Sequence, residues 1–589
     1  MKKSLIKVSA LALLLAATGC EDLLVEQPRS ILVPSFLGTP EGVQAGLIGV
    51  YSGLRNVYGN EEAEYLALQG TDEWMRGFAA TQGYEDYNPS LLNPQSSAVA
   101  NQWAINYRYI NDANGVIQYA GTVQGLSPAV LTQTVAEAKL LRANYYFMLA
   151  QYFGDVPLSL KFVDAPTKDI SRAPLADVYT AIIADLTDAM NTIADRPAQP
   201  GRVTRATALH ILSKVYLTRA SSKARQPDDY AKAAQFANEL ITNKGRYNVD
   251  LEADAATVFA EGSENGREVL MNVQFNQDPT FSGQNAFDPT GANQTNFFFR
   301  SRYDLLPNMV RDIVNGRPYG RFCPTPHLLD SYILPGETGK QLRTTDTRYS
   351  KWFTTLWRVN SPGNNGGTAF NPRAVVGDTA AWYPGRELAV AEQARIAARP
   401  GGRFVVGPPS RYTPNFSPVM NKYDDITRTA VNNPSDRPLI VYRFAETYLI
   451  AAEANMYLGN FGQAVTFLNE VRRRAGAMGR KTQMEITAAT LTDPSTLTDP
   501  KGIDFILDER SRELAGEQMR YFDLVRTNKL VERVQAFVPA FVSSKPSPIG
   551  TDNYGSNAAV NIKAHHVLRP IPQSEIDRTS GKIKQNDGY

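Results

Sequence analysis

Apolar residues recur at helical spacing along much of this chain, most clearly from Val441 to Ala475. Val441, Phe444, Ala445, Tyr448, Leu449, Ala452 and Met456 follow the i, i+3, i+4, i+7 rhythm that lines one face of a helix. Gly459-Asn460 interrupts the run. Phe461, Ala464, Val465, Leu468, Val471 and Ala475 then repeat the rhythm, and Gly476 stands where a C-cap glycine would. The pattern predicts a helical hairpin, with Ala452 and Ala464 small enough to let its helices approach closely.

A Gly-Asn-aromatic turn followed by an alanine resembles the tetratricopeptide unit, which cannot bury its apolar face alone and so implies further copies. Asp229 to Leu240 aligns with Asn460 to Val471: Tyr230 answers Phe461, and Ala233, Phe236, Asn238 and Glu239 answer Ala464, Phe467, Asn469 and Glu470. Helical rhythm also marks the stretches from Pro40 to Leu54, Gln102 to Ile117, Val135 to Phe153, Pro174 to Ala194 and Thr204 to Ala220. The expectation is a mostly α scaffold of about four hairpins.

Two regions break the rhythm. Asn60 to Ala98 is aromatic and polar without period and reads as a long loop. Residues 251–435 read as an irregular, loop-rich insert carrying short strands, of which Glu268 to Phe275 alternates most clearly. Beyond the hairpin at 441–475, Ile503 to Leu530 reads as one helix whose charges support it at i and i+4, and His566 to Ile571 as a short strand. The chain thus divides into 1–19, an N-terminal helical region at 20–250, the insert at 251–435, and a C-terminal region at 436–589.

A length of 589 residues exceeds one ordinary core, which agrees with a scaffold plus a second lobe. The net charge of +2 without a long basic run gives no electrostatic case for nucleic acid. His210, His327, His565 and His566 lack metal-ligand spacing, the last two being adjacent in an expected strand and so facing opposite ways. Neither metal nor cofactor is expected, and no nucleophile elbow or phosphate loop is apparent. Glu509, Arg510, Glu513, Arg520 and Asp523 read as structural charges that pair and cap helix ends.

Lys2, Lys3 and Lys7 precede an apolar run from Val8 to Ala17, too short to span a bilayer and typical of a secretory signal. It ends Ala16-Ala17-Thr18-Gly19-Cys20, which resembles a lipobox in which Cys20 is acylated and becomes the first residue. Leucine is commonest where Ala17 stands, and ordinary cleavage around Ala16 to Gly19 is the alternative. Several acyl chains would tether the protein to a membrane stably.

Four groups of residues, in order, resemble the SusD/RagB family of surface nutrient-binding lipoproteins of Bacteroidota. They are Leu141-Arg142-Ala143 through Tyr145-Tyr146 to Tyr152-Phe153-Gly154-Asp155-Val156-Pro157; Arg443-Phe444-Ala445-Glu446 with Ala452-Glu453-Ala454 and Asn469-Glu470-Val471-Arg472; Glu509-Arg510, Glu513-Leu514 and Arg520-Tyr521-Phe522-Asp523-Leu524; and Pro570-Ile571-Pro572 with the Gln585-Asn586-Asp587-Gly588-Tyr589 end. The resemblance implies a non-catalytic outer-membrane lipoprotein, facing the exterior, that hands oligosaccharide, or in some members peptide, to a SusC-like TonB-dependent transporter. Glu21-Asp22 after the cysteine is similar to surface-export signals of that phylum.

Aromatic faces are natural platforms for sugar rings, with arginines, amides and carboxylates taking the hydroxyls. Trp74, Arg76, Tyr84 and Tyr87 occupy the early irregular segment that in this family lies near the ligand, while Phe298, Tyr303, Trp352 and Trp382 are candidates in the insert. Rival readings are an exported tetratricopeptide scaffold with protein partners only, and a surface glycoside hydrolase.

Overall fold

The computed structural model describes residues 34–79, 83–165, 167–275, 292–364, 373–399, 404–492 and 502–589. The stretch read as a secretory signal, and Cys20, lie outside the described residues. Eight scaffold helices pack each on the next: α1 (Pro40–Ser52), α2 (Ser97–Ala120), α3 (Pro128–Phe153), α4 (Leu175–Thr192), α5 (Arg205–Ala220), α6 (Asp229–Thr242), α7 (Phe444–Tyr457) and α8 (Phe461–Ala475). This is a tetratricopeptide-like array of four hairpins, in which the pair α5–α6 neighbours the pair α7–α8. Tyr230 stacks on Tyr457 across that junction at 4.5 Å.

Local sequence explains where several helices begin. Thr39 caps α1 by accepting from the Gly42 amide, with Pro40 in the first turn. Ser127 does the same for α3 ahead of Pro128, and Thr204 with Thr207 forms a reciprocal cap on α5. Between α7 and α8, Gly459 takes φ +78, a left-handed conformation that glycine adopts without strain. Gly476 ends α8 differently from the expected left-handed cap: its φ is −69, and a Cβ there would lie 2.7 Å from the Lys481 Cα.

The amphipathic reading of α7 needs correcting. Val441 belongs to the strand Leu439–Arg443, which pairs antiparallel with Val269–Val273. From Phe444 to Met456 every residue is buried, polar ones included. Both faces are covered because the C-terminal region lies against the side that a free hairpin would expose. Glu446 is satisfied there by Lys214 at 2.7 Å, Arg510 at 2.8 Å and His210 at 3.1 Å.

The expected helix from Ile503 to Leu530 is three: Gly502–Leu514, Arg520–Arg526 and Leu530–Phe537. Positive φ at Gly516 (+79) and Gln518 (+56) breaks the first from the second. Their charges do more than support their own turns. Arg348 bonds Glu509 and Glu513 at 2.8 Å each, Arg443 bonds Glu513 and Glu517, and Arg510 bonds Asp523 at 2.6 Å, all buried. Glu509 and Glu513 therefore tie the insert to the C-terminal helices.

Three further elements differ from expectation. The stretch after Asn60 contains a helix, Glu61–Leu68, capped by the Asn60 side chain. His565 and His566 lie in the 3-10 turn Ala564–Val567, not a strand, with ring centroids 4.1 Å apart. Within the insert, Leu356–Arg358, Thr379–Trp382 and Val405–Val406 form a small mixed sheet.

Candidate functional site

Strand Trp74–Arg76 pairs antiparallel with Phe322–Pro324, which joins the early segment to the insert. The pairing runs on through hydrogen bonds from the Gly77 amide to the Arg321 carbonyl at 3.0 Å and from Ala79 to Gly320 at 3.1 Å. Beneath this seam the predicted aromatics meet one another. Trp74 packs on Phe299 at 4.7 Å and on Phe322 at 6.3 Å, Phe298 meets Phe322 at 6.0 Å, and Tyr84 reaches the same cluster through Tyr65.

That meeting is a core and not a platform. Trp74, Tyr84, Tyr87, Phe298, Tyr303 and Trp352 are each no more than 3% exposed. Tyr87 donates to the Gly70 carbonyl at 2.8 Å, Tyr303 stacks on Trp357 at 4.8 Å, and Trp352 lies under the Lys422 ammonium at 4.0 Å. Rings so enclosed have no free face for a sugar. Arg76 is the exposed member, its side chain 45% accessible, and Trp382 is half-buried on the small sheet that Trp357 anchors to Tyr303.

The residues that do face outward beside the seam were not singled out from sequence. Half-buried Phe78 lies against Gly320, where φ is +39 and a Cβ would fall 2.1 Å from the ring; Arg302 stands over it at 5.3 Å. Tyr319 carries the guanidinium groups of Arg321 at 3.9 Å and Arg317 at 4.3 Å. Arg321 is paired with Glu61 at 2.8 Å, and Arg302 and Arg311 both pair with Asp304 at 2.9 Å. Arg317 over Tyr319 and Arg302 over Phe78 thus present guanidinium groups layered on aromatic rings, whereas Arg321, its side chain 11% accessible, spends its N–H groups on the Ala79 carbonyl, the Tyr319 hydroxyl and Glu61. An Arg-Pro-Tyr-Gly-Arg run, Arg317 to Arg321, was the available signal.

Arg76 sits 3.8 Å from Glu85, whose carboxyl burial pushes up to about 7. The guanidinium groups of Arg76, Arg302, Arg311, Arg317 and Arg321 are set against the carboxylates of Glu61, Asp304 and Asp312 and a Glu85 easily neutralised. The local balance is positive. Planar guanidinium groups in such numbers suit hydroxyls and, bidentately, carboxylate or sulfate oxygens. Among the described residues no group of three or more His, Cys, Asp or Glu side chains is placed to hold a metal ion, and no helix is long and apolar enough to cross a membrane.

Residues 267–589, more than half of the chain, match the family model described as SusD family. The chain belongs to the SusD family. A second model, described as starch-binding associating with outer membrane, matches residues 25–217 of this SusD-family chain. It is 27% identical to SusD-like protein P2 of Formosa agariphila over 99% of both chains. Among solved structures it resembles a laminarin-binding SusD-like protein (22% identity, TM-score 0.63, covering 94% of this chain and 100% of that one). It also resembles surface glycan-binding protein A from Bacteroides fluxus (18% identity, TM-score 0.61, 93% and 99%). At those identities the two structures speak for the shared fold.

Proposed function

We propose that this SusD-family protein is a non-catalytic surface lipoprotein that binds oligosaccharide and passes it to a SusC-like TonB-dependent outer-membrane transporter. Family membership supports the class, as do the outer-membrane description of the second family model and the laminarin- and glycan-binding names of structural relatives. The observation that carries the ligand class is the layered arginine surface around Phe78 and Tyr319. Its positive balance favours glycans bearing carboxylate or sulfate groups over neutral ones.

Attraction between exposed opposite charges is screened over about 8 Å at physiological salt, so affinity for an acidic glycan should fall as salt rises. Calorimetry with an acidic and a neutral oligosaccharide of equal length, at low and high salt, tests this. Tighter, salt-sensitive binding of the acidic one is the expected result. Equal, salt-independent binding of both would restrict the reading to neutral sugars and shift attention to Trp382.

A further inference from the structure

An open cleft of about 410 Å³ lies where the α4–α5 connection at 193–204, the turn Lys244–Tyr247 and the strand Val269–Val273 come together. Three arginines line it, Arg196, Arg202 and Arg267, and among the described residues no carboxylate does. The acids around it are already answered by cations: Asp195 by Arg246 at 2.8 Å and Arg205 at 3.4 Å, Asp250 by Lys244 at 2.7 Å, and Glu137 by Arg202 at 2.9 Å. Arg202 is thereby fixed in the wall, its guanidinium 5.1 Å over the Tyr51 ring. The other two are available. Arg196 is exposed and makes no ion pair or hydrogen bond among the described residues, and exposed Arg267 approaches Glu252 no closer than 3.4 Å. Exposed Asn265 adds a donor, because its Oδ1 already accepts from Asn272 Nδ2 and Gln274 Nε2 at 3.0 Å each, which leaves its Nδ2 for a ligand. Thr204, the cap of α5, lines the same cleft, so the positive end of that helix adds to the potential.

We propose that this cleft docks an acidic, extended segment of a partner protein, whose carboxylates pair with Arg196 and Arg267 while an aliphatic side chain between them rests on the floor of Val249, Leu270 and Met271. Guanidinium groups bind carboxylates bidentately, and the Asn265 amide suits a peptide carbonyl. A sugar is less well served. The one aromatic ring in the lining, Tyr247, is 3% exposed and offers no stacking face. A bilayer surface is less well served too, since the donors are recessed and none of the exposed lining residues is aromatic or a large aliphatic that could enter the interface. The cleft shares no residue with the arginine surface at the seam, so a glycan and a protein partner could be held at once.

The test uses the full-length protein and a fluorescein-labelled, end-blocked pentapeptide in which a leucine is flanked by two glutamates on each side, with its glutamine counterpart as control. Fluorescence anisotropy should show saturable binding of the acidic peptide that weakens as salt rises, and about tenfold weaker binding of the control. An Arg196→Ala/Arg267→Ala double variant should lose about tenfold or more in affinity for the acidic peptide while keeping its thermal midpoint and its affinity for a uronic-acid oligosaccharide. Absence of peptide binding by the wild type, equal binding of the control, or unchanged binding by the variant would each overturn the proposal. A variant that loses the oligosaccharide equally would make the cleft a sugar subsite instead. Vesicles of phosphatidylglycerol that sediment the wild type but not the variant, without peptide binding, would assign it to the membrane. A wild type that takes the peptide but no oligosaccharide would sink the glycan reading and leave this one standing.

Discussion

The guanidinium of Arg569 lies 3.9 Å over the ring of Tyr521, and among the described residues it has no carboxylate partner although it is 1% exposed. Its Nη2 donates to the Leu66 carbonyl at 2.6 Å, and Tyr87, Tyr152 and Tyr589 stand close enough to influence its charge. A buried cation balanced by ring faces locks the C-terminal tail onto α3, where the Arg569 amide also reaches the Tyr152 carbonyl at 2.7 Å.

Removing the ring should therefore cost more than removing its hydroxyl. Tyr521→Phe loses one hydrogen bond, to the His566 carbonyl at 2.9 Å, at about 1 kcal/mol. Tyr521→Leu also loses the desolvated cation–π contact, about 2 kcal/mol or more beyond that. Urea unfolding of the two variants measures the difference; equal losses would mean that the ring face contributes nothing.

Stability should pass through a maximum on the acid side of neutrality. Burial raises Glu64 to about 8 and Glu73 and Glu85 to about 7, so as pH climbs from the ordinary carboxylate range, near 4.3, the unfolded chain sheds protons that the folded chain keeps. These three groups take stability away through that window, while His210, His565 and His566, held low chiefly by burial, add to it up to the unfolded imidazole pKa near 6.5, so the net fall comes above about pH 6.5. Burial also pushes Glu513 upward, but Arg474, Arg443 and Arg348 outweigh it and hold the carboxyl low, and Glu509 and Glu446 are likewise held low by their cations. Their contribution is complete above the unfolded carboxylate pKa and is lost as pH drops below it. Scanning calorimetry from pH 2 to pH 9 checks both limbs; a midpoint that climbs from pH 6.5 to pH 8 would contradict the assignment of the three raised groups.

Glu513→Gln should destabilise the fold by about 3–5 kcal/mol, because Arg348, Arg443 and Arg474 would share one fewer buried charge. Denaturant titration reads this directly. A loss under about 1 kcal/mol, the range of surface pairs, would show that water reaches the network.

Periodicity made the scaffold legible because each tetratricopeptide-like helix must bury a stripe, and a stripe has a period. It misread α7 and the stretch after Ile503 for one shared reason: where a third layer covers a helix, polar residues such as Glu446 and Glu513 are buried too, and their partners come from far along the chain. Gly516 and Gln518 broke a helix that their neighbours' spacing continued. Trp74 of the early segment and Phe298 of the insert, read separately as candidates, join one buried cluster with Phe299 and Phe322. Composition cannot tell a ring that faces solvent from one that faces its neighbours, and so Trp74 is a candidate in the sequence while Phe78 and Tyr319 go unmarked.

That correction separates two variants. Trp74→Ala should cost about 3–5 kcal/mol of stability by emptying a core position. Arg317→Ala, half-buried on the surface, should leave the thermal midpoint nearly unchanged while weakening an acidic oligosaccharide about tenfold, equivalent to about 1.4 kcal/mol. Thermal melts with calorimetry on both decide; an Arg317→Ala protein that binds as wild type would remove that side chain from the site.

Anchoring rests on the small-residue run that ends at Cys20. Cys20→Ala should fold normally yet leave the membrane fraction, and mass spectrometry of the wild type should find acyl groups on Cys20. A variant retained in membranes after transporter contacts are stripped would contradict the lipoprotein reading.

Binding without turnover at the arginine surface can be read in a single titration. Purified wild type and a Phe78→Ala/Arg317→Ala double variant are titrated with laminarin-derived, starch-derived and uronic-acid oligosaccharides, and the sugars are then recovered and sized. The wild type should bind the uronic-acid oligosaccharide saturably and most tightly of the three, the double variant should lose that binding with an unaltered melt, and the sugar should be recovered at its original length. Binding that survives in the double variant, or shortened products absent from a mock preparation, would contradict it.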